Sequence, residues 1–219
     1  MLDNLNISVD GHVKIWDPET REVFVDKHNA INGEAMSLLI ALNLSSLNNS
    51  YIYEMHFGNG GTIIDETGNI TYKDVVVNLD NGLSAGLFND TYFKVVDKDD
   101  TNYNADPTDN KIDVTHTTGL KYSDIIITCT LKKEEPSSTT NQQFNLTTTV
   151  PKTYQETLDQ AANFDGEFIF DEIGLKSKSL DVQAPLNAGW LLSHIVFHPV
   201  QKSANRVIQV VYTLRIRIV

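Results

Sequence analysis

Apolar and polar residues alternate with a period of two along most of the chain. Val13 and Ile15, then Val23 and Val25, recur at every second position, and Tyr51, Tyr53 and Met55 alternate with Ile52, Glu54 and His56. Val207–Val219 repeats the pattern over a long final stretch. Side chains on a strand point to opposite faces in turn, so this pattern specifies half-buried β-strands. No regular βαβ spacing interrupts it. The reading is therefore mainly β, an antiparallel β-sandwich-like domain with one buried N-terminal helix and a second short helix.

The individual strands follow from the same rule. Val13–Ile15 and Val23–Val25 flank DPETRE and form a first hairpin, because proline fixes φ and aspartate bonds the next backbone groups. Thr62–Ile64 and Ile70–Tyr72 form a second hairpin across Asp65–Asn69. Val75–Leu79, Tyr92–Val96, Ile112–His116, Phe144–Val150, Phe168–Ile173 and Leu191–Phe197 are further strands. Ile125–Leu131 is apolar enough to be a central one. The final strand Val207–Val219 is expected to pair back across the turn Ser203–Arg206.

One helix is clear, from Gly33 to about Leu44, with Asn32 as its cap and Glu34 favoured in the first turn by the macrodipole. It is apolar nearly all round, which implies burial between layers. Tyr154–Asn163 is the second, short helix. At 219 residues and 41% hydrophobic content the chain can bury a sizeable core. It reads as a single β-rich domain over 1–219, with residues 1–32 as a candidate hairpin extension. No apolar run reaches the roughly 20 residues needed to span a bilayer, and the first residues carry no basic leader.

The net charge of −12 argues against generic nucleic-acid binding, which needs a basic face. The charge is uneven: residues 174–219 carry +5 and residues 1–173 carry −17. Complementarity between subunits is one reading of that asymmetry, a solvated surface the other. The single cysteine, Cys129, lies in the apolar run IIITCTL, so no internal disulfide is possible and a buried, inert thiol is expected. The sequons at Asn6, Asn43, Asn48, Asn69, Asn89 and Asn145 read as accidents of an Asn-, Ser- and Thr-rich chain.

Candidate chemistry is sparse. The segment Phe57-Gly58-Asn59-Gly60-Gly61 lacks a phosphate-cradle lysine and precedes a hairpin, so it reads as a glycine turn using positive φ. The acidic loop with Asp97, Asp99, Asp100, Asp106 and Asp109 does not match a calcium-loop pattern. His194 and His198 share a strand about 13 Å apart, too far for one zinc. Glu134/Glu135 and Asp171/Glu172 are sequence neighbours, so each pair is expected to point to opposite faces. Hence no catalytic, cofactor-binding or metal residue is assigned. Tyr51, Tyr53, Tyr72, Tyr103 and Trp190 are candidate sugar-stacking aromatics for an alternative reading as a glycan-binding module.

The order of segments carries a resemblance. MSLLIALNL leads into YIYEMHFGNGGT; GLFNDTYFKVVD and IDVTHTTGLKYSDIIITCTLKKEEP follow; GEFIFDEIGLKS then precedes LLSHIVFHPVQKSANRVIQVVYTLRIRI. Over residues 34–219 this order resembles virion structural proteins of tailed bacteriophages, in particular the N-terminal attachment domain of tail-fibre and tail-collar proteins. In that family a segment like Phe170-Asp171-Glu172-Ile173-Gly174-Leu175 precedes a final β-hairpin. The resemblance implies a non-enzymatic virion component that binds other virion proteins and forms homo-oligomers, with no nucleic-acid or membrane partner. A fibre shaft normally follows such a domain and none follows Val219. The expectation is therefore a tail, baseplate or neck adaptor, or a collar or capsid-decoration protein.

Overall fold

The computed structural model describes residues 6–47, 50–75, 82–136, 168–181 and 188–219. Sheet 1 has the strand order β2-β1-β12-β9-β8 and sheet 2 the order β3-β11-β10-β4-β7. In sheet 1, β1 is Ile7–Trp16, β2 Val23–His28, β8 Lys111–His116, β9 Tyr122–Leu131 and β12 Ile208–Ile218. In sheet 2, β3 is Ala30–Ile31, β4 Ile52–Gly58, β7 Asp90–Val95, β10 Phe168–Ser177 and β11 Leu191–Lys202. A small hairpin, β5 (Thr62–Ile64) with β6 (Ile70–Tyr72), stands apart. All pairings are antiparallel.

The two sheets share one core. Val13 and Ile15 of β1, Ile127, Cys129 and Leu131 of β9, and Ile208, Val210, Tyr212 and Leu214 of β12 face Met55, Phe57, Phe170, Ile173, Leu175 and Phe197 of sheet 2. In sheet 1 the alternation is clearest in β12, where the residues between the buried ones stay half exposed. The expected first hairpin forms, but it is no extension. β1 pairs with β12 from Ile7↔Ile218 to Trp16↔Gln209 and lies inside sheet 1. β9 is an inner strand, between β12 and β8.

The expected final hairpin does not form. β11 stays in sheet 2 beside β10, and the chain crosses through Ser203–Arg206 into sheet 1, where β12 pairs with β1 and β9. Both strands carry a buried apolar face, and placing them in opposite sheets turns those faces toward one core. Both edges of β12 are thereby occupied.

The helix α1 spans Gly33–Ser45, with Asn32 accepting from the Ala35 amide at 3.2 Å. Asn32 also donates to the carbonyls of Leu191 (side chain, 2.9 Å) and Leu192 (backbone, 2.9 Å), which moors the helix start to β11. Ser46 closes the helix in the left-handed region at φ 54°. The helix is not buried between layers. Ala35, Met36 and Leu39 are buried, while Leu44 is 81% exposed. The second helix expected at 154–163 and the strand expected at 144–150 lie outside the described residues, as does the strand expected at Val75–Leu79 apart from Val75, which is in no strand. No described helix is long and apolar enough to cross a membrane.

Candidate functional site

Helix α1 lies over one end of sheet 1 and leaves apolar space on both sides. On one side a cavity of about 580 Å³ is walled by Met36, Leu39 and Ile40 of α1 and by Val9, Ile112, Val114, Ile125, Leu214 and Ile216 of sheet 1. On the other side a hollow of about 550 Å³ is lined by Ile7, Ile31, Ser37 and Ala41. The two share Val9, Met36, Ile40 and Leu44, so they form one continuous aliphatic surface around the helix. It continues onto exposed residues: Ile7, Val114 and Leu44 are all more than half exposed.

The polar side of the cavity is built by Tyr51, Asp97, Lys98 and Asp99. Tyr51 donates to Asp97 Oδ2 at 2.6 Å and Tyr53 donates to Asp100 Oδ2 at 2.6 Å. Burial and the facing carboxylates push both phenols above their usual range. Lys178 Nζ lies over the two rings, 5.4 and 4.6 Å from their centroids, and donates to the Tyr51 hydroxyl at 3.2 Å. The acidic loop is therefore anchored. Asp97 and Asp100 hold tyrosines, and Asp106 and Asp109 hold Lys132 at 2.5 and 3.2 Å.

A second cluster of polar residues is buried in sheet 2. His56 places Nε2 3.0 Å from Glu54 and Nδ1 2.9 Å from Asp90, and Lys176 donates to Asp90 at 2.9 Å. Burial opposes the charge on Asp90, but His56 and Lys176 outweigh it and hold the carboxyl down to about 2. Phe93 stacks on His56 at 5.0 Å. Nearby, Glu172 accepts from the Gly60, Asn89 and Phe88 amides at 3.1, 2.8 and 2.9 Å and from His194 Nε2 at 2.8 Å. Asp171 accepts from the Gly61 and Thr62 amides at 2.9 and 2.8 Å and from the Thr62 hydroxyl.

Asp171 and Glu172 thus converge on one glycine turn instead of pointing apart. The cause is a break in the ladder between Phe170 and Glu172, where β10 slips against β11. A bulge removes the alternation that the expectation relied on. The glycines of the turn do not use positive φ as expected: Gly58, Gly60 and Gly61 all lie outside the left-handed region, and the need for glycine has another cause. A Cβ on Gly58 would come 2.5 Å from the Asn89 carbonyl oxygen, and one on Gly60 would come 2.7 Å from the Asn89 nitrogen. Close approach of two backbone segments is what excludes a side chain there.

The other singled-out residues scatter. His194 bonds Glu172, whereas His198 is exposed and its Nδ1 lies 3.3 Å from the Tyr72 hydroxyl. Glu135 accepts from Lys94 at 2.7 Å and from the Lys132 amide, while Glu134 lies in a turn at φ 64°. Tyr51 and Tyr53 meet edge to face, but Trp190 packs against the core and Tyr72 against His198. Among the sequon residues, Asn43, Asn69 and Asn89 use their side chains in bonds to Ser50, Asp65 and Asn59; Asn48 and Asn145 lie outside the described residues. Cys129 is fully buried, and burial pushes its thiol up to about 12.

No protein family, curated protein or solved structure matches the chain. The site stands on its geometry alone. The aliphatic surface around α1 offers contact area and a polar margin, which suits binding. The buried clusters of sheet 2 tie loops to strands. Several basic residues of 174–219 pair with acids from the preceding part of the chain: Lys176 pairs with Asp90, and Arg215 grips Asp124 with two bonds at 2.7 and 2.8 Å. Arg206 lies 3.9 Å from both Asp17 and Glu22.

Proposed function

We propose that the chain is a structural, protein-binding module that holds neighbours in an assembly. The setting that the segment order implies is the virion of a tailed bacteriophage, at the tail, baseplate, neck or collar. The observation that carries the binding role is the open apolar end of the sandwich. Leu44 and Leu47 are 81% and 76% exposed, beside Ile7 at 54% and a continuous aliphatic groove. A contiguous exposed apolar surface on a soluble domain marks an interaction site. The rigid anchoring of α1 through Asn32 supports the same role, because a contact helix must keep its place.

The test has two parts. A mass-spectrometric inventory of purified particles from the source culture is expected to contain the chain in stoichiometric amount, and its absence overturns the virion setting. Leu44→Asp, on a helix position 81% exposed, is expected to keep the fold and abolish incorporation into the assembly. Normal incorporation of that variant overturns the role of the α1 surface.

A further inference from the structure

Among the described residues the two sheets end in four edge strands, β2 and β8 in sheet 1 and β3 and β7 in sheet 2. Two of these are short or buried, and β2, six residues long with four exposed, is blunted instead by a break in its register against β1. The side chain of Lys27 ties β2 to the facing sheet through the Val196 carbonyl at 2.5 Å. β3 has two residues, and β7 is buried from Thr91 to Val95. β8 differs from all three. Its register with β9 runs unbroken from Lys111↔Thr128 to His116↔Ser123, and it holds no proline. Val114, Thr115 and His116 are exposed, Val114 at 68%. Its outer backbone groups meet no strand among the described residues. Proteins blunt such edges with proline, bulges or unpaired charge. In β8 the two charges, Lys111 and Asp113, neutralise each other at 2.8 Å.

We propose that β8 pairs antiparallel with β8 of a second copy of this chain, continuing sheet 1 across a two-fold axis. This rests on the reading of the chain as a protein-binding module and names one of its partners. The strand's own sequence selects the occupant. Facing residues in a ladder must share a face of the sheet, so a two-fold axis normal to the sheet places one residue opposite itself. Centred on Val114, the register sets valine against valine, Asp113 against Thr115 and Ile112 against His116. Centred on Asp113, it would set carboxylate against carboxylate, which is destabilising. Centred on Thr115, it would cover the exposed valine with a histidine. The Val114 register also brings the loop ahead of β8, whose five aspartates outnumber Lys98 and the Lys132 that bridges Asp106 and Asp109, toward the turn with Lys121 that follows β8 in the other copy. Opposite charges therefore meet at both ends of the joint. Ile112 and Val114 line the cavity beneath α1 as well, so pairing extends that aliphatic wall with the second copy's strand.

The experiment is sedimentation velocity and light scattering on the full chain, with three single variants. The wild type is expected at twice 24.5 kDa with a concentration-dependent monomer fraction. Val114→Lys sets two ammonium groups face to face and is expected to weaken the dimer at least about 10-fold with unchanged circular dichroism. Val114→Cys is expected to form an intermolecular disulfide on oxidation, since facing residues in a ladder lie within disulfide reach. Val23→Cys on β2, also exposed, is expected not to. Cys129 is buried and does not compete. A wild type that stays monomeric to about 0.1 mM overturns the pairing, as does a Val114→Lys dimer of undiminished strength or cross-linking of Val23→Cys as fast as of Val114→Cys. If Val114→Lys fails to fold, the two cysteine variants decide. A monomer that still enters its assembly through the α1 surface refutes the β8 pairing alone. A dimer whose Leu44→Asp form also assembles normally refutes the α1 surface alone.

Discussion

Replacing Glu172 with glutamine tests whether the buried carboxylates of β10 hold the glycine turn in place. Glu172 is fully buried and takes four donors: the Gly60 and Asn89 amides on Oε1, and the Phe88 amide and His194 on Oε2. Glutamine is nearly isosteric but keeps one acceptor oxygen. If its NH₂ replaced Oε1, two backbone amides would be orphaned. If it replaced Oε2, His194 could accept by changing tautomer and the Phe88 amide alone would face a donor. The second arrangement is the cheaper one. An orphaned buried donor costs about 1–3 kcal/mol, and the surviving bonds lose roughly half their strength with the charge. The sum is about 3–5 kcal/mol, a large share of the roughly 5–15 kcal/mol that stabilises a domain. Urea unfolding at pH 7 should show the loss as a lower midpoint at unchanged slope. Hydrogen exchange should show the Phe88 amide opening ahead of the rest of the sheet. A loss below about 1 kcal/mol, with the Phe88 amide still protected, would refute the assignment of Glu172 as the anchor.

Three other expectations follow from the same buried groups. Asp90 falls to about 2 in the folded chain from an ordinary 3.8, so it stabilises the fold above pH 4 and that contribution, about 2 kcal/mol, disappears as pH drops from 4 to 2; Asp90→Asn should flatten the acid limb of a stability–pH curve. Burial first, then the nearby positive charges of Lys94 and Arg206, lower Lys202 to about 8, partly offset by Glu135. The unfolded chain therefore binds more protons between pH 8 and 10.5, stability rises with pH across that window, and Lys202→Met should gain about 1 kcal/mol at pH 7 in thermal or urea unfolding. Cys129 should ignore a thiol reagent in the native state and react fully in denaturant; rapid native labelling would contradict its burial.

Legibility in the sequence followed the range of the interactions. The β1–β2 hairpin, the β5–β6 hairpin and α1 with its Asn32 cap all rest on residues a few positions apart, and each sits where the local pattern placed it. The apolar run of β9 marked an inner strand correctly. What the pattern could not carry was the choice of partner. β12 lies next to β11 in sequence, yet its neighbours are β1, about two hundred residues away, and β9. Alternation also misled in β4, where Tyr53, Glu54, Met55 and His56 are buried on both faces. Glu54 and His56 are kept inside by Asp90, which the sequence holds in a different segment. The convergence of Asp171 and Glu172 required a bulge that no composition rule announces.

The pairing of β1 with β12 has a mechanical consequence. The backbone of Asn6 exchanges two bonds with that of Val219, at 2.9 and 2.8 Å, so the first and last described residues lie side by side at one end of sheet 1. Tension drawn through both ends pulls across this ladder at its first rung. The rungs then open one after another, from Ile7↔Ile218 toward Trp16↔Gln209, and each bears the load alone. Tension drawn from one end against the far loops runs along the strands and loads many rungs at once. The domain should therefore yield at low force when stretched end to end, and resist when it is held by one end and by its sides.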